Sequence, residues 1–210
     1  MQESVQTPLR SPLRIGDSAP EFSARSTMGE ISLSQYRGKW LVFFSHPADF
    51  TPVCTTEFVA LAQAADRFAA LDCALLGLSV DSLYSHIAWI RAIHEAFGVT
   101  INFPVIEDPS MAVGRAFGMI DEHSQDSAAI RGTYFIDPEG VIRAITTYPH
   151  NVGRSVEEML RIVAALQCAA GDKVLTPEGW QPGDAVLLPP ATESGGEAGA
   201  DWFCKSTAAP

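Results

Sequence analysis

Short apolar runs alternate with amphipathic stretches in the first half of the chain. The runs Lys39–Ser45 and Cys73–Val80 are apolar and have the length of strands buried on both faces. Between them, apolar residues recur at spacings of three and four, which predicts a helix after Pro52 with one buried face. The residues of this face are Phe58, Leu61, Ala65 and Phe68. The order predicts a β-α-β unit with two parallel strands.

A second helix is predicted after this unit. Asp81 or Ser82 is suited to cap its start, and Gly98 is suited to end it. Its inner face is predicted to carry Leu83, Ile87, Ile90 and Phe97. A further apolar segment follows at Phe103–Ile106.

The second half of the chain predicts a hairpin and a closing helix. Arg131–Ile136 and Val141–Thr147 flank the turn sequence Asp137–Gly140. A capping box at Ser155 opens a helix that Gly171 stops. The predicted buried stripe of this helix is Val156, Met159, Leu160, Val163 and Leu166. These elements predict an α/β fold, in which a mixed central sheet is flanked by helices on both faces.

The composition changes beyond Gly171, where proline and glycine become frequent. We therefore predict one domain over residues 14–171 and a C-terminal arm and tail over residues 172–210. Residues 191–200 are small and polar, which is typical of a flexible linker. Trp202, Phe203 and Cys204 follow it, and aromatic residues at the end of such a tail are expected to dock on their own subunit or on a neighbour.

Charge and cysteine spacing exclude several function classes. The chain has 210 residues, and its formal net charge of −11 argues against binding to nucleic acid or to anionic lipid. The start of the chain lacks the apolar core of a secretory signal, and no stretch is apolar enough to span a membrane. The four cysteines show no C-x-x-C spacing, and the histidines show no ligand spacing. We expect a cytoplasmic protein without a metal ion or cofactor.

The segment Pro47–Cys54 carries the candidate chemistry, because it lies where a predicted strand gives way to a helix. In the first helical turn, unpaired backbone N–H groups and the helix dipole favour the thiolate of Cys54. An ordinary cysteine is about 3% thiolate at neutral pH, so ionisation raises the reactive fraction by at most about 30-fold. Further acceleration requires hydrogen-bond donors that hold the substrate and stabilise charge on the departing oxygen.

Several neighbours are candidates for that task. Thr51 lies one helical turn before Cys54, so its hydroxyl can accept from the thiol region and donate to a substrate oxygen. Pro47 would shield the thiolate without offering a competing donor. Arg131 would bring a guanidinium to the pocket, or would only pair with an acidic surface residue. His46 is either a hydrogen-bond partner in the site or a histidine packed at a strand end.

The remaining cysteines and one carboxylate have simpler interpretations. Cys73, in an apolar strand, and Cys168, at a helix end, are expected to be small buried hydrophobic residues. Glu57 suits a helix N-terminus as a carboxylate in the first turn. For Cys204 a structural and a functional role remain open.

The pattern P-x-x-x-T-x-x-C after a strand, together with a distant arginine at Arg131, resembles the active-site signature of the peroxiredoxins. The run Phe44–Glu57 looks like the one-cysteine branch of that family, and the resemblance covers nearly the whole chain. It implies a thioredoxin-like fold and a Cys54 thiolate that attacks the O–O bond to give a sulfenic acid. It also implies that Pro47, Thr51 and Arg131 position the substrate.

The same resemblance extends to residues outside this signature. Arg154 matches a second arginine often found near the pocket, and Glu57 is implied to belong to the active-site network. The tail Asp201–Cys204 looks like the resolving-cysteine region of archaeal-type members, which implies that Cys204 of a partner subunit condenses with the sulfenic acid on Cys54. The serine motif of members with phospholipase activity is not matched at Arg37–Trp40.

The resemblance therefore implies a thiol peroxidase that reduces hydrogen peroxide and organic hydroperoxides. The implied reductant is thioredoxin or another thiol, and the implied assembly is a homodimer or a ring of five dimers. A redox-sensing or holdase-like module is the alternative, in which oxidation of Cys54 changes assembly. A disulfide exchange protein ranks last, because Cys54 has no second cysteine nearby in the sequence.

Overall fold

The computed structural model describes residues 12–120, 127–171, 173–190 and 203–209. The predicted linker 191–200, His123 and Trp202 lie outside these ranges. The strands are Ser23–Ser26 (β1), Gly29–Ser32 (β2), Trp40–Ser45 (β3), Cys73–Ser79 (β4), Val105–Glu107 (β5), Arg131–Ile136 (β6), Ile142–Tyr148 (β7), Val186–Leu187 (β8) and Ser206–Thr207 (β9). The α-helices are Pro52–Gln63 (α1), Ala65–Ala70 (α2), Leu83–Phe97 (α3), Ala112–Ala116 (α4) and Val156–Cys168 (α5).

Seven strands form one mixed sheet in the order β2-β1-β5-β4-β3-β6-β7. Strand β4 is parallel to β3 and to β5, which confirms the predicted β-α-β unit. Strand β6 is antiparallel to both β3 and β7, and this confirms the hairpin. The first residue of β6, Arg131, is thereby brought close to the end of β3, where the candidate site begins.

Helices cover both faces of this sheet. On one face, apolar side chains of the central strands pack against buried residues of α1, α2, α3 and α5. On the other face, the alternate strand residues pack against α4 and the segment before β3. Because strand side chains alternate between the two faces, two separate cores form. The predicted mixed sheet with helices on both faces is confirmed.

The prediction for the helix after Pro52 needs a small correction. The helix ends at Gln63, and a second short helix continues from Ala65. Ala64, at the junction, has φ −96° and ψ 0°, and it is buried while Ala65 is only half-buried. The buried residue at this point is therefore Ala64, three positions after Leu61, and not the predicted Ala65.

The predicted inner face of α3 is wrong, because Leu83, Ile87 and Ile90 are only half-buried and Phe97 is exposed. Ser82 caps the helix and Gly98 ends it with φ 68°, as expected. However, the buried residues are His86, Trp89 and Ile93. Phe97 is 58% exposed and borders a groove of about 450 Å³ between α1 and α3.

The reason for this error lies outside the helix. Burial of the polar ring of His86 is compensated by hydrogen bonds to Asp49, which is 37 residues away in sequence. A prediction from the hydropathy pattern places a histidine on the outer face of a helix. It cannot take into account a hydrogen-bond partner that comes from another element.

Helix α5 and the arm pack together. The Ser155 hydroxyl accepts from the Glu158 amide, which is one half of the predicted capping box, whereas the Glu158 carboxylate pairs with Arg161. The buried residues of α5 are Met159, Leu160, Val163 and Ala164, whereas Val156 and Leu166 are only half-buried. Trp180 and Val186 of the arm pack against the Ala164 side of this helix. The tail then pairs antiparallel with the arm through β8 and β9.

No helix in the described ranges combines the length and the apolarity needed to cross a bilayer.

The corrected face of α3 leads to a testable difference between two of its residues. Replacing the buried Ile93 by Ala is expected to lower the free energy of unfolding by about 2–5 kcal/mol, because it leaves a cavity in the core. Replacing the exposed Phe97 by Ala on the same helix is expected to change it by about 0.5 kcal/mol or less. Urea unfolding followed by circular dichroism measures both, and equal losses would contradict this assignment of the helix face.

Candidate active site

Cys54 lies in the first turn of α1, two residues after the Pro52 that begins the helix. Its side chain is fully buried. Strand β3 ends at Ser45, and residues 46–51 connect it to the helix. Pro at the first helical position suits this start, because its missing N–H is one that the helix would leave unpaired. The cysteine thus sits at the predicted strand-to-helix junction, at the N-terminal end of a 12-residue helix.

Arg131 lies directly against this thiol. Its Nη1 is 3.3 Å from Cys54 Sγ and 2.8 Å from Glu57 Oε2. Its Nε and Nη2 both donate to the backbone carbonyl of His150, at 3.0 and 2.6 Å. The side chain is 2% exposed, so the alternative of a surface ion pair is wrong. These four contacts fix the plane of the guanidinium, which presents one N–H edge to the sulfur.

Glu57 joins this arginine to a second one. Its carboxylate accepts from the Arg154 amide at 2.7 Å, from Nε at 3.0 Å and from Nη2 at 2.8 Å. Arg154 also donates to the Gly132 carbonyl and stands over the ring of Phe44 at 5.2 Å. Glu57 is 4% and Arg154 is 8% exposed. The carboxylate therefore holds both guanidinium groups beneath the first turn of α1.

The charges of this cluster favour an anion at the sulfur. Burial opposes ionisation of Glu57, but hydrogen bonds and charge from Arg154, and then charge from Arg131, lower its pKa below the usual range. One carboxylate between two permanently charged guanidinium groups leaves one positive charge without a counterpart. Arg131 Nη1 lies 3.3 Å from Cys54 Sγ, so a negative charge on this sulfur would face a buried guanidinium.

The structure narrows the expected role of Thr51. This residue is the N-cap of α1, and its hydroxyl donates to the Ala48 carbonyl at 2.8 Å. A hydroxyl has one proton and two lone pairs, so in this conformation it can accept from a substrate but does not donate to it. The expectation that it donates to a substrate oxygen is therefore corrected. Pro47, in the same loop, is buried.

His46 is both packed at the end of a strand and hydrogen-bonded, so each of its two predicted roles is met in part. Its ring is fully buried and packs against Phe58 and Trp89 at centroid distances of 4.8 and 5.1 Å. It also has a hydrogen-bond partner, but that partner is Asp49, 2.9 Å from its Nε2. Asp49 in turn lies 2.8 Å from Nδ1 of His86.

Sequence reasoning did not find Asp49, His86 or the His150 carbonyl. The two side chains carry no spacing that signals their meeting, because they come from a loop and from α3. The carbonyl belongs to the backbone, so its role leaves no mark on residue type.

The other cysteines differ in their surroundings. Cys73 is buried, and burial raises the pKa of its thiol to about 12, which agrees with the inert role expected of it. Cys168 is half-buried beside the arm. Cys204 is exposed and lies two residues before β9. All four thiols are free, and the described residues bring Arg131, Glu57 and Arg154 to Cys54 but leave Cys204 on the arm.

Comparison with known families and proteins gives a consistent result. The AhpC/TSA family model matches residues 15–145, and the model of the C-terminal domain of 1-Cys peroxiredoxin matches residues 165–198. A peroxiredoxin of Methanosarcina mazei is 44% identical over 207 residues, which cover 90% of this chain and 94% of the relative.

Two solved structures are also similar. The yeast mitochondrial 1-Cys peroxiredoxin, studied for thiol resolution via glutathione and thioredoxin systems, has a TM-score of 0.79 and 41% identity, with 85% of this chain and 87% of that chain covered. A cysteine-to-serine mutant of peroxiredoxin 6 from Arenicola marina has a TM-score of 0.84 and 29% identity, with 94% and 99% covered.

The buried cluster predicts a defined response to Glu57→Gln. A carboxyl whose pKa is lowered in the folded state stabilises the protein above its unfolded pKa of about 4.3, and this contribution is lost as the pH falls through the folded pKa. At pH 7 the variant should lose about 3–5 kcal/mol of unfolding free energy, because two buried guanidinium groups lose their counter-ion. The difference in unfolding free energy between the variant and the wild type should become smaller below about pH 4, because the wild-type carboxyl becomes protonated there.

Glu158→Gln is the matched control. Glu158 is paired with Arg161 at the surface, with 44% of its side chain exposed, so water screens the pair and the loss should be about 1 kcal/mol or less. Denaturant unfolding between pH 3 and pH 8 measures both variants. A Glu57→Gln protein as stable as the control at pH 7 would contradict this account of the cluster.

Proposed function

The chain belongs to the AhpC/TSA family and is a thiol-dependent peroxidase, and on this premise we propose that Cys54 is the nucleophile that reduces the hydroperoxide. The observation that carries the proposal is the contact of 3.3 Å between Cys54 Sγ and Arg131 Nη1 at the N-terminal end of α1. A guanidinium and a helix N-terminus both stabilise negative charge. They act first on the thiolate and then on the oxygen that departs.

The proposed reaction transfers one oxygen atom. The Cys54 thiolate attacks the terminal oxygen of the hydroperoxide, so an S–O bond forms while the O–O bond breaks. The departing oxygen leaves with the bonding electrons and takes up a proton, which gives an alcohol, or water when the substrate is hydrogen peroxide. The sulfur is oxidised to a sulfenic acid and the peroxide is reduced.

Fixed groups around the sulfur would position the peroxide in line. The Thr51 hydroxyl, whose proton is bonded to Ala48, has lone pairs that can accept the O–H of the attacking peroxide end. Arg131 can donate to the developing oxyanion, because its N–H edge already faces the sulfur. Pro47 helps to exclude water from the buried thiolate.

Arg154 and His46 would act at the border of this pocket. Arg154 holds Glu57, and Glu57 holds Arg131, so the second arginine orients the first. The imidazole of His46 packs against Phe58, one helical turn after Cys54, and it would contribute a hydrogen bond to the reacting oxygen atoms. We assign substrate contact to Thr51, Arg131 and His46, and orientation to Arg154.

We further propose that Cys204 resolves the sulfenic acid. Its thiol would displace water from the Cys54 sulfenic acid and form a disulfide, which a reductant such as thioredoxin then opens with two electrons. The two sulfurs must approach to about 2.05 Å. Since Cys54 is fully buried and Cys204 is exposed on the arm, the first turn of α1 has to open and a tail has to reach it.

A partner subunit would supply that tail, in a homodimer or in a ring of five dimers. The tail is tied to the arm of its own chain through β8 and β9, and the arm packs on α5. These contacts limit how far Cys204 moves relative to its own domain. If Cys204 does not react, an external thiol must resolve Cys54 instead.

Replacement of Cys54 by Ser tests the nucleophile. Peroxide consumption with thioredoxin or dithiothreitol as reductant is expected to fall by at least about 10³-fold, because a serine hydroxyl is not ionised at neutral pH and cannot accept the oxygen. Cys168→Ser, which changes a half-buried thiol away from the site, should retain wild-type rates.

Retention of normal peroxide consumption by Cys54→Ser would exclude Cys54 as the nucleophile. The redox-sensing alternative predicts a different behaviour of the wild-type protein. In that case wild-type protein would turn over slowly with every thiol reductant, while its assembly would change on oxidation of Cys54.

Resolution between subunits is tested by co-expressing a tagged Cys54→Ser chain with an untagged Cys204→Ser chain. After one equivalent of hydrogen peroxide, a disulfide should join the two chains of different mass, since each contributes the cysteine that the other lacks. A non-reducing gel with peptide mass spectrometry detects it, and each variant expressed alone should give no such band. If wild-type protein forms the Cys54–Cys204 link only within one chain, the mixed subunits should remain unlinked.

A further inference from the structure

A second buried polar cluster contains His46, and its other two members, Asp49 and His86, have no part in the steps above. Asp49 is 7% exposed, and the rings of His46 and His86 are fully buried. The Asp49 carboxylate is 2.9 Å from His46 Nε2 through one oxygen and 2.8 Å from His86 Nδ1 through the other. The Asp49 amide donates to the Asp81 carboxylate at 3.0 Å, which fixes the loop that carries the carboxylate.

These contacts determine which ring nitrogens carry protons. Burial opposes ionisation of Asp49, but hydrogen bonds from His46 and His86 outweigh it and hold its pKa well below the usual range. An ionised carboxylate only accepts hydrogen bonds, so both nitrogens that face it are donors. His46 is therefore protonated at Nε2. Because burial lowers the pKa of His46, its other nitrogen, Nδ1, is left with a bare lone pair at neutral pH.

That lone pair has no protein partner. Among the residues that the structure describes, His46 Nδ1 is a fully buried side-chain nitrogen without a hydrogen bond. A buried acceptor without a donor destabilises a fold, so such atoms are rare in native proteins and point to a use. His86 differs, because its second nitrogen lies 3.3 Å from the Ile106 carbonyl.

The position of His46 places its ring between the two elements that carry Arg131 and Cys54. Strands β3 and β6 pair with Phe44 opposite Thr133, and the Gly132 amide donates to the Ser45 hydroxyl. One step further along this register, His46 lies opposite Arg131, and directly opposite residues project from the same face of a sheet. Its ring also packs against Phe58, one turn after Cys54 on α1. The imidazole is thus bordered by the same two elements that hold the Cys54 sulfur.

We propose that Asp49 and His86 are positioning residues of the peroxidase, which hold His46 in its Nε2–H tautomer so that Nδ1 accepts a hydrogen bond from an O–H group at Cys54. That O–H group belongs to the bound hydroperoxide or to the sulfenic acid, whereas the two ring nitrogens of His86 already face Asp49 and the Ile106 carbonyl. The inference rests on the proposed role of Cys54. The reversed tautomer would present an N–H there, and this would compete with the substrate proton for the same space.

A metal ion is the competing interpretation of the cluster, because two histidines and a carboxylate are ligand types. The contacts of 2.8 and 2.9 Å have hydrogen-bond lengths, and the nitrogens that face Asp49 carry the protons that a metal would replace. These distances favour the hydrogen-bonded chain. A stoichiometric metal ion in purified protein, found by elemental analysis, would overturn the proposal.

Nuclear magnetic resonance of ¹⁵N-histidine tests the tautomer directly, in solution or, for a large assembly, in the solid state. In reduced wild-type protein at pH 7, His46 should show a protonated Nε2 and an unprotonated Nδ1. The opposite tautomer, or a doubly protonated ring, would refute the inference without any variant. Because no peroxide is present, this result is independent of whether Cys54 is the nucleophile.

Two variants at His86 separate positioning from packing. His86→Asn keeps an amide N–H close to the place of the ring Nδ1 that donates to Asp49, whereas His86→Leu removes the donor and keeps an apolar bulk. In His86→Leu, and in Asp49→Asn, the His46 tautomers should mix, and the rate constant for peroxide should fall at least about tenfold. His86→Asn should instead keep the Nε2–H tautomer of His46 and most of the wild-type rate constant for peroxide.

Two measurements, the His46 tautomer and the rate constant for peroxide, together support or refute the proposal. A rate that falls while the His46 tautomer stays unchanged would show that the cluster acts only through packing. A tautomer that changes while the rate stays at the wild-type value would show that His46 Nδ1 has no part in the reaction. Inactivity of Cys54→Ser, measured separately, reports on the proposed function alone.

Discussion

Two arginines share one buried carboxylate beneath the thiol of Cys54, and the arrangement of the site depends on that shared ion pair. Neither guanidinium reaches bulk water, so each requires a counter-ion within the protein. Glu57 provides one negative charge for two positive charges. The imbalance is what makes the cluster useful, because it leaves a buried positive field at the point where the first turn of α1 presents a cysteine.

The fold brings these charges together from three separate parts of the sequence. Arg131 begins β6, Arg154 precedes α5, and Glu57 lies on α1 beside the cysteine. Antiparallel pairing of β6 with β3 places Arg131 next to the strand end from which α1 departs. A change in that register by one residue would turn Arg131 to the opposite face of the sheet. The apolar residues that set the register therefore also determine the electrostatics of the site.

Local patterns predicted much of this architecture. Strands β3 and β4 are almost entirely apolar runs, β6 ends in the apolar run Tyr134–Ile136, and the turn before β7 has the proline and glycine that its reversal needs. The strand-to-helix junction at Cys54 was predicted because the apolar run before it and the helical spacing after it are both local patterns. Prediction failed where partners are distant, as for the buried His86 of α3, whose burial is understood only when Asp49 is known. The clamp of Arg131 by the His150 carbonyl lacked a sequence signal, since any residue supplies a carbonyl.

The burial of Cys54 sets two requirements that oppose each other. Excluding water strengthens the contact with Arg131, because charge interacts more strongly in a medium of low dielectric. However, a buried sulfur cannot meet a second thiol until the helix turn that carries it opens. Such an opening would break the contact of Cys54 with Arg131. Under the proposed mechanism, the free energy of that local opening decides how long the Cys54 sulfenic acid persists, and hence whether disulfide formation or further oxidation follows.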